Sequence, residues 1–139
     1  MADPVRALRE LLKANADVAA LVGSRVFGGE LPAAETKSMP RAAIVLRPSG
    51  GASLTAGSYA RHDTQRIDLL AHGATPMEAD ALARLCRVIV CDIRRQVVEG
   101  CLIHWVDVAG GLSAERDRDA YWPVALQSFQ IFHALEAVS

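Results

Sequence analysis

The stretch from Thr75 to Gly100 constrains the fold more than any other part of the chain. It opens with the sequence Thr75-Pro76-Met77-Glu78, which has the pattern of a capping box. The Thr75 hydroxyl can accept a hydrogen bond from a backbone N–H of the first turn, and the Glu78 side chain can accept one from the Thr75 N–H. Pro76 suits the first helical position, because the backbone N–H that proline lacks has no partner there. Apolar residues then recur at spacings of three and four, as one buried helical face requires: Leu82, Leu85, Ile89, Ile93 and Val97. Gly100 is a candidate left-handed cap. The pattern predicts a helix of about 23 residues and about 35 Å, enough to cover a small sheet.

Two β-hairpins are predicted, one on each side of this helix. The first joins an apolar strand, Ala42 to Arg47, to a strand from Asp63 to Ala71 across a Gly- and Ser-rich loop. The second joins Cys101 to Asp107 with a long final strand, about Tyr121 to Leu135. We therefore expect one α+β domain over residues 1–139, in which an N-terminal helix precedes two hairpins joined by one long helix on an antiparallel or mixed sheet.

The N-terminal segment carries helix signals of its own. Asp3 followed by Pro4 is typical of a helix start. The aspartate carboxylate can accept hydrogen bonds from the free N–H groups of the first turn, and proline suits the first helical position because a backbone N–H has no partner there. The pattern predicts that this helix ends near Asn15 and that Asp17 caps a short second turn, which stops at Gly23.

Composition places the chain among globular proteins and excludes a strongly basic nucleic-acid binder. Hydrophobic residues make up 51% of the 139 residues and charged residues 22%, and the net charge is −1, so the chain cannot bind by neutralising many phosphates. No apolar run approaches the ~18 residues of a membrane span. The N-terminus lacks a charged-then-apolar signal pattern, so we expect folding in the cytoplasm.

Residues able to carry chemistry are scattered rather than grouped. The four histidines are far apart in the sequence, without metal-ligand spacing: His62, His72, His104 and His133. The three cysteines are expected to be small buried residues in a reducing compartment: Cys86, Cys91 and Cys101. There is no G-x-S-x-G elbow and no Walker-type phosphate loop. The sequence therefore predicts no catalytic residue, no metal site and no cofactor, and His104 is expected to be packed or exposed rather than a ligand.

Both hairpin loops contain residues that are enriched at protein interfaces. The first loop, from Gly50 to His62, offers these candidate contact residues: Gly50, Gly51, Tyr59, Arg61 and His62. The second loop, from Gly110 to Asp119, and the start of the strand after it offer these: Arg116, Asp117, Arg118, Tyr121 and Trp122. Two other interpretations remain open, since alternating charges at a hairpin tip are often a solvated turn, and Tyr121 and Trp122 fit a satellite core equally well.

The order of the segments carries a family resemblance. The segments that carry it are Val5 to Leu12, Ala20 to Phe27, Pro40 to Arg47, Arg61 to Asp68, Gly73 to Ala79 and Gln127 to Ala134. Together they resemble the tail-completion, or tail-terminator, proteins of long-tailed bacteriophages with non-contractile tails and of phage-derived gene transfer agents. The resemblance covers nearly the whole chain, and it lies in segment order and hydrophobic pattern rather than in a catalytic signature.

The resemblance implies a mechanical function. Such proteins form a ring, typically of six subunits, on the head-proximal end of the tail tube, where the ring ends tube polymerisation and gives the neck proteins a docking surface. The implied partners are the chain itself, the tail tube protein and the head–tail connector or stopper protein. DNA passes through the lumen without specific binding. The implied location is the virion, assembled in the bacterial cytoplasm without contact with a membrane.

On this interpretation the two loops contact the tube or the neck. Arg66 and Asp68, outward on their strand, are candidates for subunit contacts together with Tyr121 and Trp122. The long final strand is expected to offer a sheet edge to a neighbour. Two alternatives stay open: another neck component, such as a head-completion or stopper protein, and a small α+β ligand-binding or enzymatic domain.

Overall fold

A computed structural model describes residues 2–50, 62–117 and 120–137. These residues form four helices and seven strands, and the α+β prediction is confirmed. The helices are α1 (Pro4–Ala14), α2 (Ala16–Val22), α3 (Ala33–Thr36) and α4 (Pro76–Cys91). The strands are β1 (Val26–Gly28), β2 (Ala43–Pro48), β3 (His62–His72), β4 (Arg94–Val98), β5 (Cys101–Val108), β6 (Ser113–Arg116) and β7 (Pro123–Ala134).

The helix starts follow from side-chain capping. Asp3 Oδ1 accepts hydrogen bonds from the backbone N–H groups of Val5 and Arg6, as predicted for α1. Asn15, rather than Asp17, caps α2, because its Oδ1 lies 3.0 Å from the Asp17 nitrogen. At α4, Thr75 Oγ1 accepts from the Glu78 N–H at 3.2 Å. The Glu78 carboxylate accepts from Ala74 instead of Thr75, so the predicted box is displaced by one residue.

The prediction for the long helix is wrong in its last third. α4 ends at Cys91, and the residues predicted to continue it form β4, which pairs with β5. Glu99 and Gly100 both have positive φ, 49° and 75°, the backbone of a two-residue type I′ hairpin turn. Gly100 is therefore a turn residue and does not cap a helix. Val97, predicted on the buried face, is 48% exposed.

The sheet is mixed and is built around β7. Its strand order is β1-β2-β3-β7-β5-β4, only the β1–β2 pair is parallel, and β6 also pairs with β7. β3 pairs with one side of β7 over the whole length of β3, while β5 and β6 share the other side. The long final strand is thus central, and the expectation that it offers a free edge is wrong. In the described part of the sheet, the free edges belong to β1, to β4 and to the short strand β6, which pairs with β7 alone.

The core lies on one face of this sheet. Ile67 and Leu69 of β3 and Phe129 and Ile131 of β7 are fully buried in one cluster with side chains of α1 and α4. Because side chains alternate along a strand, the residues between them point to the opposite face. That second surface is called the outer face here and is centred on Arg66, Asp68, Ser128 and Gln130. None of the helices in the described ranges is long and apolar enough to cross a membrane.

Candidate functional site

The first predicted loop leaves the sheet at the Pro48 and His62 end. Gly50 is exposed with a φ of 92°, and its carbonyl oxygen accepts from the Arg66 N–H at 2.7 Å and from Gln65 Nε2 at 2.9 Å. These bonds fix the exit of the loop against β3. The other candidate contacts in this loop, Gly51, Tyr59 and Arg61, lie outside the described residues.

The second predicted loop is more ordered than the sequence indicates. Ser113–Arg116, inside the predicted Gly110–Asp119 loop, forms β6 and pairs with Pro123–Leu126 of β7. β6 and β7 therefore form a hairpin whose connecting turn begins at Asp117 and ends at Trp122, and the prediction of one long flexible loop is wrong over β6.

This turn, from Asp117 to Trp122, is held by its own hydrogen bonds. Asp117 Oδ1 accepts from the Ala120 N–H at 2.7 Å, and the Asp117 N–H donates to the Trp122 carbonyl at 2.9 Å. Arg116 donates to the Tyr121 carbonyl at 3.1 Å, and its guanidinium lies 5.5 Å from the Tyr121 ring centroid. Tyr121 has a φ of 65° and is 69% exposed, so an aromatic ring is presented to solvent on a constrained backbone. The remaining candidate, Arg118, lies outside the described residues.

The structure places the two candidate regions at opposite ends of the sheet. His72 pairs with Val124, beside the 117–122 turn, whereas the first loop leaves the sheet at Gly50, next to Gln65 and Arg66, and rejoins it at His62, at the other end of β3. Six residue steps of β3, from Arg66 to His72, separate Gly50 from the turn, about 20 Å at about 3.3 Å per residue. The predicted residues therefore form two separate surfaces rather than one site.

The outer face between these ends carries a polar network. Asp68 Oδ1 accepts from Ser128 Oγ at 2.6 Å and from Ser49 Oγ at 3.0 Å, and it lies 3.9 Å from Arg66 Nε. Asp68 is 15% exposed, whereas Arg66 is 44% exposed. Of the two predicted interface residues on β3, Arg66 is accessible to a partner and Asp68 is engaged in holding β2, β3 and β7 together.

A groove of about 570 Å³ lies on the outer face beside the 117–122 turn, and it could not be predicted from the sequence because its walls come from distant segments. Its lining includes Val45, Leu70, Trp122, Arg47, Asp117 and His72. Trp122 is half-buried there, which agrees with the satellite-core interpretation at least in part. His72 is 5% exposed, and its Nδ1 has no hydrogen-bond partner among the residues that the structure describes. Burial lowers the pKa of His72, and the nearby Asp117 carboxylate opposes that shift in part.

The lowered pKa of His72 predicts an acid-dependent loss of stability. In the unfolded chain this histidine takes up a proton near pH 6.5. In the folded chain its pKa is lower, so it is protonated only at a more acidic pH. The free energy of unfolding should therefore be constant above about pH 7.5 and should fall as the pH drops through about 6.5. In urea titrations at several pH values, H72Q should show a shallower fall between pH 7.5 and 5.5. An identical slope in H72Q and the parent chain would contradict the assignment.

A pair of histidines lies at the other end of the outer face. His104 Nε2 is 3.0 Å from His62 Nδ1, and the two rings meet at an interplanar angle of 62°. Phe132 packs against both imidazoles, and Trp105 packs on Phe132 with ring centroids 4.5 Å apart. Burial, with His62 and Arg95 close by, lowers the pKa of His104. The pair could not be predicted from the sequence, because 42 positions separate the two histidines in the chain. Within the described residues, no group of three or more His, Cys, Asp or Glu side chains is placed to hold a metal ion.

Two of the three cysteines, Cys86 and Cys101, are buried core residues, whereas Cys91 is partly buried. Burial raises the pKa of Cys86 to about 12 and that of Cys101 to about 11, so both are thiols at neutral pH. Gln127 is fully buried, and its Nε2 donates to the Gly110 carbonyl at 3.0 Å. This bond ties the start of the second loop to β7.

The fold and the pattern of segments have counterparts among known proteins. The family described as "Tail completion protein gp17" matches residues 6–133. Among solved structures, a chain from the "Virion of native gene transfer agent (GTA) particle" superposes with a TM-score of 0.66 at 17% identity, over 93% of this chain and 92% of that one, which shows a shared fold. No curated protein matches the chain. Because the family match spans nearly all of the sequence, the chain belongs to the tail completion protein gp17 family.

Proposed function

We propose that this protein forms a hexameric ring on the head-proximal end of a tail tube, ends tube polymerisation there and provides the docking surface for the head. Membership of the tail completion family makes the chain a structural component of a phage-type tail and supports a role other than catalysis. The shared fold with a chain of a gene transfer agent virion agrees with such a role. The observation that carries the finer proposal is the position of two interaction surfaces at opposite ends of one sheet.

A ring between two different partners needs two different axial faces. The exit of the first loop at Gly50 and the 117–122 turn lie about 20 Å apart along β3, which lets one end contact the tail tube protein and the other the connector or stopper protein. The exposed Tyr121 and the adjacent Arg116 suit the turn for a protein contact, since tyrosine and arginine are enriched at hot spots.

A ring also needs two unlike lateral surfaces, because a head-to-tail contact that repeats by rotation closes. β1 and β4 are the first and last strands in the main order of the described sheet and lie on opposite sides of it. The outer edge of β4 has backbone groups without a strand partner in the described sheet, and Val97 on it is 48% exposed. These edges are therefore better candidates for subunit contacts than the final strand.

The net charge of the chain suits a ring through which DNA passes. Its net charge of −1 offers no strong attraction to phosphates, so DNA can pass through the lumen without being held. The protein would then be located at the head-proximal end of the tail, after assembly in the host cytoplasm. The nearest alternative is another neck component, such as a head-completion or stopper protein, and it differs in which half of the particle carries the chain.

Arg66 provides a test of the subunit contacts. R66E should reduce the assembled fraction of the purified chain in light scattering, because a second carboxylate beside Asp68 would repel an acidic neighbour and lose the contact made by the arginine. R84E is the matched control, since Arg84 is an exposed arginine on α4, far from the outer face, that pairs with Asp80 at 2.8 Å.

The expected result is a hexamer for the parent chain and for R84E, and smaller species for R66E with unchanged thermal stability. Full assembly of R66E would remove Arg66 and its surroundings from the interface. A parent chain that remains monomeric both in solution and after cross-linking on purified tails would contradict the ring itself.

A further inference from the structure

The histidine pair on the outer face is placed by three features that act together. β5 has an irregular register in which Ile103 pairs with His133 and Trp105 with Phe132, so His104 is the extra residue of a β-bulge. A bulge re-aims the side chain of the extra residue, and such features are common beside functional sites. Here the re-aimed side chain meets His62 of β3, although β7 lies between the two strands.

The residue beneath the pair makes this contact possible. Strands β3 and β5 are two strand spacings apart, about 10 Å, so the two side chains must reach over β7 to meet. The β7 residue paired with His62 is Ala134, whose methyl group leaves room for two imidazole rings. Phe132, the next outward residue on β7, packs against both rings with centroid distances of 5.8 and 4.9 Å and restricts their orientation.

The distance between the two nitrogens fits chelation of a single ion. Metal–imidazole bonds are about 2.0 to 2.1 Å long, so two nitrogens 3.0 Å apart subtend about 95° at a shared ion. That angle is close to the cis positions of a tetragonal site, the geometry that Ni²⁺ and Cu²⁺ prefer, and imidazole is a ligand suited to both.

We propose that His62 Nδ1 and His104 Nε2 chelate a divalent transition-metal ion of tetragonal preference, Ni²⁺ or Cu²⁺, with water in the remaining positions. The ion replaces the hydrogen shared between the two rings. The ring that donates this hydrogen takes up its other tautomer, so two neutral imidazoles lose no net proton. The bound ion connects the first residue of β3 to β5 across β7. The inference does not depend on the proposed ring.

Thermal unfolding of the purified full chain tests the site with the metal alone. Excess NiCl₂ should raise the melting temperature of the parent chain, because an ion that binds only the folded state stabilises it, whereas MgCl₂ should not. H62Q and H104Q should each weaken Ni²⁺ binding, measured by titration calorimetry, by more than about tenfold, since loss of even an outer-shell partner costs about 10- to 100-fold. H72Q is the matched control, because His72 lies at the far end of β3, and it should keep the parent affinity.

Electron paramagnetic resonance of the Cu²⁺-loaded chain gives an independent readout. The parent chain should show coupling to two imidazole nitrogens, and each single variant should lose one of them. A Ni²⁺ shift that persists in both H62Q and H104Q, an equal shift with Mg²⁺, or no binding by the parent chain would each overturn the site.

Discussion

G73A should lose about 3 kcal/mol of folding free energy, a large loss for a single added methyl group. Gly73 is the buried first residue after β3, where the chain turns into α4. A Cβ atom at this position would lie 2.5 Å from the Ala79 nitrogen, 3.0 Å from the Glu78 carbonyl carbon and 3.1 Å from the Ala79 Cα. All three neighbours are backbone atoms of a helix, so none of them can rotate away as a side chain does. Relief requires α4 to move off the sheet that it covers.

G111A is the matched control for this substitution. A Cβ added at Gly111 would have no described atom within 4 Å, and the φ of Gly111 is not positive. The free energy of unfolding of G111A should therefore stay within about 0.5 kcal/mol of that of the parent chain. Urea titrations followed by circular dichroism measure both variants. Equal stability of G73A and the parent chain, or equal losses in G73A and G111A, would contradict the tight β3–α4 connection.

The parts of the fold that depend on local chemistry could be predicted from the sequence. Asp3 and Thr75 cap helices as expected, because a capping side chain bonds to N–H groups within three residues. The strands of the first hairpin were predicted within a few residues, since their apolar runs are bounded by proline and glycine.

The end of α4 could not be predicted because two local patterns compete there. Ile89, Ile93 and Val97 continue the helical spacing, and Ile93 does reach the core, with 2% of its surface exposed. It does so from the short connection between α4 and β4, because the Glu99-Gly100 turn pairs β4 with β5 and supplies the sheet hydrogen bonds that replace those of a continued helix. The choice between helix and hairpin is thus made by pairing with a strand that follows later in the chain.

The candidate surfaces, too, depend on pairing between segments that are distant in the sequence. The sequence identified the two loops, but their placement at opposite ends follows from the β3–β7 register, which is a tertiary property. Asp68 was expected to be outward and available, yet Ser49 and Ser128, which are distant in sequence, converge on it. The His62–His104 pair depends on a bulge in β5 and on the small side chain of Ala134, and neither is visible as a spacing of histidines.

Deletion of the gene should have the largest functional effect, because the account assigns to this one protein both the end of tube growth and the attachment of the head. A strain that produces the particle but lacks the gene should make tails longer than normal, or tails without heads, beside filled heads. Expression of the parent chain in trans should restore normal particles. Expression of G73A should restore fewer of them, because a loss of about 3 kcal/mol lowers the abundance of a marginally stable protein in the cell several-fold.

The same preparation separates the proposed function from its nearest alternative. In the parent strain, mass spectrometry of separated heads and tails should find the chain with the tails, as expected for a protein that closes the tube. A chain recovered only with heads would instead indicate a head-completion or stopper protein.

Electron microscopy of the deletion strain is the most direct test of the central claim, that this protein ends tail-tube polymerisation. The account predicts overlong or headless tails in the deletion strain and normal tails after complementation. Tails of normal length on normal heads in that strain would contradict it.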